Sequence, residues 1–207
     1  MNLATSSLLL TIGFGVAVIG SFADSPSTNC GSIRGILMGS ILVGNEGEYC
    51  SNINAQDEYG RTAIFIAATR GNKDSVVKLA EKGADVNIQN NNGFTPLYNA
   101  VMQGHENVVE ELLKRNAEID RPEYTGRTPL HIAVIMNRSK LAQKLIANGS
   151  NVNAQDMFKR TPIWHTVYLN SQTDAFKMVE VLMVNGTADA DIPDKYGITP
   201  LLCAVKY

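Results

Sequence analysis

The first 23 residues contain no Asp, Glu, Lys or Arg. Within them the apolar stretch 8–19 is shorter than the ~20 residues a spanning helix needs, and Gly13, Gly15 and Gly20 weaken it further. Ser21-Phe22-Ala23 has the small-x-small form of a cleavage site, so 1–23 reads as a secretory signal peptide cut after Ala23. The other reading is a retained membrane anchor. No Leu-x-x-Cys pattern precedes Cys30, which removes a lipoprotein anchor. Basic residues are not in excess either. The formal net charge is −2, so nucleic acid binding has no electrostatic support. A Gly-rich phosphate loop, a metalloprotease histidine pair and a nucleophile elbow are all missing. The three histidines show no metal-ligand spacing with Cys or with one another. These absences argue against an enzyme and give no reason to expect a cofactor or a metal.

What the chain does have is a period. Thr62, Thr95, Thr128 and Thr161 are each 33 residues apart. Gly60, Gly93 and Gly126 keep the same step, and Val86-Asn87 recurs two periods later as Val152-Asn153. A fixed period of this size marks stacked repeats. One unit can be read residue by residue. Gly126 allows positive φ in a tight turn. Thr128 is a helix N-cap, and Pro129 occupies the first helical position, where its missing donor costs nothing. Leu130, Ala133 and Val134 follow at helical spacing, and a break near Asn137-Arg138 ends the helix. Leu141, Leu145 and Ile146 line one face of a second helix, which Gly149 closes. Two short helices cannot bury their apolar faces alone, so neighbouring units stack.

Thr128-Pro129-Leu130-His131-Ile132-Ala133 reproduces the Thr-Pro-Leu-His-x-Ala signature of the ankyrin repeat, which the chain resembles from about Asn52 onward. Near copies start at Thr95 and Thr199, and weaker ones at Thr62 and Thr161. The resemblance implies a mostly α solenoid of helix-turn-helix units joined by β-turn or hairpin loops. Repeats then occupy 57–89, 90–122, 123–155, 156–193 and, as a part, 194–207, all within 52–207. Segment 24–51 is a polar leader followed by a helix that caps the first repeat. Thr128, Pro129 and His131 are structural by this resemblance, and a structural role is the default for His105 and His165 too.

Departures from the pattern are specific. Ala63 replaces the proline of the first repeat, which predicts a less sharp helix start. Asn116 and Lys159 stand where glycines are expected. Trp164 occupies the signature histidine's place and His165 follows it. The next threonine is late, 199 − 161 = 38, and most of the surplus lies in 170–174. Cys30 and Cys50 bracket the capping helix. In an oxidising compartment they form a disulfide; the alternative is two thiols. Cys203 is expected to be a buried apolar residue. The fifth unit's lone helix is a cap or a truncated repeat, and its open end offers a surface for self-association.

Function is expected at the surface. In the family partners meet the turn tips and the exposed side of the first helices. Here these positions carry Tyr59, Arg61, Arg70, Phe94, Met102, Tyr124, Arg127, Met136, Phe158, Arg160, Tyr168 and Tyr196, the aromatic, Arg and Met types enriched in binding hot spots. The expectation is a non-enzymatic protein-interaction module, periplasmic or secreted, similar in layout to exported bacterial ankyrin proteins, off the membrane once its signal is cut. An immunity or host-directed effector protein would use the same groove. A hydrolase centred on His165 and the inserted loop is the reading from another class.

Overall fold

A computed structural model describes residues 52–169 and 175–206. The segments expected to form a signal peptide and a capping helix, the cysteines Cys30 and Cys50, and the inserted segment 170–174 lie outside the described residues. Nine α-helices are described: α1 Ala63–Thr69, α2 Lys73–Glu81, α3 Pro96–Gln103, α4 Glu106–Lys114, α5 Pro129–Ile135, α6 Ser139–Ala147, α7 Pro162–Leu169, α8 Ala175–Glu180 and α9 Pro200–Lys206. A π-helical turn, Val181–Asn185, continues α8. Each repeat contributes a first helix (α1, α3, α5, α7, α9) and, through the fourth, a second one.

Threonine opens each first helix, by more than one device. The hydroxyls of Thr62, Thr95 and Thr199 accept from the amides of Phe65, Tyr98 and Leu202. At Thr128 the signature histidine takes part, its Nδ1 accepting from the Thr128 amide at 3.1 Å. Thr161 differs, because its buried hydroxyl has no hydrogen-bond partner. Helix α1 starts as sharply as the others even though Ala63 replaces proline; the Thr62 cap suffices.

First helices pack on first helices, α1 on α3, α3 on α5, α5 on α7 and α7 on α9. Second helices form the other layer, α2 on α4 and α6 on the π turn. The core is one continuous row. Ile64, Leu97, Leu130 and Ile163 come from one signature column, and Leu79, Leu112, Leu145 and Leu182 from the second helices. Ala67, Ala100 and Ala133 occupy a second signature column and are almost fully buried, which lets the first helices approach closely. Cys203 is buried, as expected.

The turns are tied across repeats. The Asn91 amide donates to Tyr59 O, Met157 to Thr125 O and Lys195 to Phe158 O, at 2.8–3.0 Å. Gly126 has φ +83°, and a Cβ there would come within 2.9 Å of the Met157 amide nitrogen. That turn therefore needs glycine both for its backbone angle and for its neighbour. The positions where glycine is replaced keep the left-handed geometry: Asn116 has φ 59° and Lys159 φ 58°.

The fourth repeat divides its surplus of five residues (38 − 33) in two. In the third repeat, Thr128 to Leu141 spans 13 residues; in the fourth, Thr161 to the equivalent Met178 spans 17, so four extra residues lie before Met178. The fifth lies between Leu182 and Ala188, where the π turn is closed. In the first three repeats an amide bonds back five residues, as in Ala84 to Leu79, Ala117 to Leu112 and Ser150 to Leu145. In the fourth, Ala188 reaches back six, to Leu182. A π turn fits one additional residue without rotating the helix that precedes it. Its cost is visible at Thr187, a β-branched residue held at φ 54° where the siblings have Gly83, Asn116 and Gly149.

Candidate interaction surface

Side chains of one register position hold every turn. Asp57 accepts from the amides of Tyr59 and Arg61, Asn90 from Asn92 and Phe94, and Glu123 from Thr125 and Arg127. Asp156 accepts from Phe158 and Arg160, and Asp194 from Tyr196 and Ile198. Burial pushes the Asp57 carboxyl up, but the Arg61 side chain and the turn amides outweigh it and hold it below the ordinary carboxylate range. A second column joins neighbours: Asn54, Asn87, Asp120 and Asn153 each accept from a backbone amide of the next repeat, at Asp85, Glu118, Asn151 and Asp189. Sequence reasoning treated the first column only as repeat boundaries and missed the second. The signal was there, since both carry an acid or amide side chain at the 33-residue step.

These turns aim the expected binding residues. Tyr59, Tyr124 and Tyr196 stand out from the first, third and fifth tips at 57%, 71% and 66% exposure. Met136 and Tyr168, late in or just after first helices, are also exposed, as is Arg70. Met102, Arg61, Arg127, Phe158 and Arg160 are half-buried. Phe94 turns inward and stacks on Tyr98, ring centroids 4.9 Å apart and planes 4° from parallel. The row thus splits into tyrosines that face out and phenylalanines that also stabilise the stack. Arginines lie over several of the rings: Arg61 over Tyr59 at 4.7 Å and Arg160 over Phe158 at 5.0 Å and Trp164 at 4.1 Å. Between the first two tips and the ends of α1 and α3 runs a groove of about 460 Å³, lined by Tyr59, Arg61, Arg70, Phe94 and Gln103 among others.

The histidines take structural places. His131 is fully buried; its Nδ1 accepts from the Thr128 amide, so its Nε2–H donates to Arg160 O in the next turn at 3.1 Å. Burial lowers its pKa to about 4 and keeps it neutral. His105 Nε2 lies 3.0 Å from Thr69 O, and its ring fills the space against Gly71. His165, centre of the hydrolase alternative, is 4% exposed and meets Asp156 Oδ2 at 3.1 Å. Burial lowers its pKa as well, against the pull of Asp156. Asp156 is a turn-holding residue, so the pair reads as a brace between α7 and its own turn. Trp164 fills the signature histidine's column. It stacks on Tyr168 at 4.9 Å, while its buried Nε1 has no hydrogen-bond partner. Among the described residues no group of Cys, His, Asp and Glu could hold a metal ion, and no helix is long and apolar enough to cross a membrane.

A search of curated proteins finds none that matches this sequence. A family model described as ankyrin repeats (3 copies) matches residues 37–123 and 78–156. The match begins upstream of Asn52, inside the segment expected to cap the stack. With most of the chain matched, with the signature threonines opening helices on one shared side, and with backbone bonds joining the first turn to the second, the third to the fourth and the fourth to the fifth, this chain belongs to the ankyrin-repeat family.

Proposed function

We propose that this protein is an exported, non-enzymatic interaction module that holds a protein partner against its turn tips and the exposed side of its first helices. The observation that carries the reading is the row of exposed tyrosines, Tyr59, Tyr124 and Tyr196, on turns fixed by side-chain and inter-repeat bonds. Rigid aromatic anchors give large contact area at little ordering cost, which favours association. The family's general role in protein–protein interaction supports it. Export rests on the uncharged leader 1–23 with its Ser21-Phe22-Ala23 ending. Within this reading an immunity protein and a host-directed effector share the same surface and differ in where the partner resides.

Affinity capture from envelope and medium fractions tests the proposal, run in parallel with Tyr124→Ala/Phe158→Ala. The expected result is a partner retained by the native chain and lost by the double variant at unchanged fold. Equal capture by both overturns the tip row as the binding edge. Intact mass with and without reductant checks cleavage after Ala23 and the Cys30–Cys50 bridge. A second reading, self-association, has its own observation: Leu201, Leu202 and Val205 of α9 are exposed at 58%, 52% and 81%. Light scattering across a concentration series tests that, and a constant monomer mass rejects it.

A further inference from the structure

Two residues depart from the repeat pattern without being needed by it. Ser150 stands where the other repeats carry Ala84, Ala117 and Ala188. Its Oγ donates to Asp120 Oδ1 at 2.6 Å, but the rung to the previous repeat is made there by the Asn151 amide on Oδ2, as in the siblings that carry alanine. Thr187 is the residue that the fourth repeat adds between Leu182 and Ala188, and it is held at φ 54° against its β-branched preference. Each supplies a hydroxyl two residues after an asparagine. The triplets are Asn148-Gly149-Ser150 and Asn185-Gly186-Thr187, both of the acceptor form Asn-x-Ser/Thr.

Such a triplet is short enough to recur by chance, so placement has to carry the argument. Asn148 and Asn185 share one register, since 148 − 145 = 185 − 182 = 3 from the core leucines Leu145 and Leu182. Both are exposed, and the first two repeats carry Lys82 and Arg115 in this register, so it faces solvent along the stack. The space beside Asn148 is open. A Cβ on Gly149 would meet nothing within 4 Å, and a shallow groove of about 170 Å³ is lined by Asn148 with Glu110, Leu113, Lys114 and Lys144. Asn148 Nδ2 donates to Lys144 O at 2.7 Å, and a singly substituted amide nitrogen keeps the one N–H this bond needs. Neither asparagine lines the groove at the turn tips. A third triplet, Asn137-Arg138-Ser139, has a plainer origin: Asn137 takes a left-handed φ of 52° where its siblings have Gly71 and Gly104.

We infer that Asn148 and Asn185 are acceptors for N-linked glycans. This rests on the export reading, because the sugar donor is met in a secretory lumen, and it favours secretion over residence in a periplasm. In the transfer, the asparagine amide nitrogen bonds to the anomeric carbon of a polyprenyl-diphosphate-linked oligosaccharide. The bond from that carbon to the diphosphate oxygen breaks, the diphosphate leaves with the electron pair, and one amide proton passes to base. Sugar at these positions covers part of the second-helix layer and leaves the tyrosine tips bare. The strained Thr187 then has a use, since removing it removes the acceptor with the strain.

Expression of the full chain in cultured animal cells tests this, once with its own residues 1–23 and once with a proven signal peptide in their place. Asn137→Gly, the siblings' residue, removes the third triplet from both. Protein from cells and medium is treated with peptide-N-glycosidase in heavy-oxygen water, which leaves labelled aspartate wherever a glycan stood, and is read by peptide mass spectrometry. An untreated sample separates this from spontaneous deamidation, which glycine after asparagine favours by leaving its backbone nitrogen free to approach. Sugar is expected at both positions. Ser150→Ala and Thr187→Ala should each abolish it at their own site only, while Ser150→Thr and Thr187→Ser keep it. Bare asparagine or sugar-free aspartate behind the proven signal overturns the assignment at that position, as does sugar that persists in the alanine variant. Glycosylation behind the proven signal but not behind residues 1–23 leaves the acceptors standing and overturns the export reading instead.

Discussion

The third and fourth repeats do the same job with different parts. In the third, residues 123–155, glycines sit at the left-handed positions of the turn and of the second helix's end, His131 links its own cap to the next turn, and α6 runs without interruption. In the fourth, residues 156–193, Lys159 and Thr187 take the left-handed positions, Trp164 replaces the histidine, and the second helix ends in a π turn. Yet the fourth keeps what its neighbours use. Asp156 holds the turn, Lys195 bonds back to Phe158, and Asn153 accepts from Asp189. The interface between units constrains sequence more strongly than the inside of a unit does. Irregularity collects where no adjacent repeat depends on it.

Deleting one residue from each second helix should break the comparison most clearly. Removal of Gln143, an exposed residue of α6, rotates Leu145 by about 100° out of the core and should cost at least about 3 kcal/mol in urea unfolding. The π turn has no equivalent in that helix to absorb the shift.

The next effect separates His131 from the tryptophan that stands in its column. His131 is held neutral, its folded pKa near 4 against 6.5 in the unfolded chain. The unfolded state therefore takes the proton first as pH falls. Stability from this group is complete above pH 6.5 and is lost down to about pH 4, by roughly 3 kcal/mol. Urea midpoints at pH 7 and pH 4.5 should differ more in the native chain than in His131→Gln.

Turn-holding acids offer a third contrast. Asp156→Ala strips two turn amides and also leaves His165 without its acceptor, at about 2–3 kcal/mol. Asp57→Ala sits at a more exposed turn and should cost about 1 kcal/mol. Equal losses in thermal melts would deny the brace between α7 and its turn.

The smallest effect is a gain. Deleting Thr187 places Gly186 at the left-handed position and lets Ala188 bond back five residues, as its siblings do. Stability should rise by about 1 kcal/mol. A loss would mean that the π turn serves something other than an added residue.

Much of this was legible in the chain. The helices, their caps and the stacking follow from a period that any residue type in phase reports, and the phase survives Ala63 and Lys159. The sixth-residue bond at Ala188 was less visible, because the reading assigned the surplus to 170–174 and counted it only between threonines. Aligning Leu182-Met183-Val184-Asn185-Gly186 with Leu145-Ile146-Ala147-Asn148-Gly149 isolates Thr187 as the added residue. The interaction surface was legible by position and not by direction. Phe94 and Tyr124 belong to the same row of turn tips, but one packs on Tyr98 and the other faces solvent, and side-chain direction is decided by the neighbouring repeat.

The column formed by Asn54, Asn87, Asp120 and Asn153 has a consequence for motion. Each rung fastens one unit to the next, so a unit with rungs on both sides cannot open without loosening two neighbours. Amide hydrogens in α3 and α5 should then exchange with solvent far more slowly than those in α9. Whatever docks along the tips would meet a surface stiff in its middle and yielding toward its last helix.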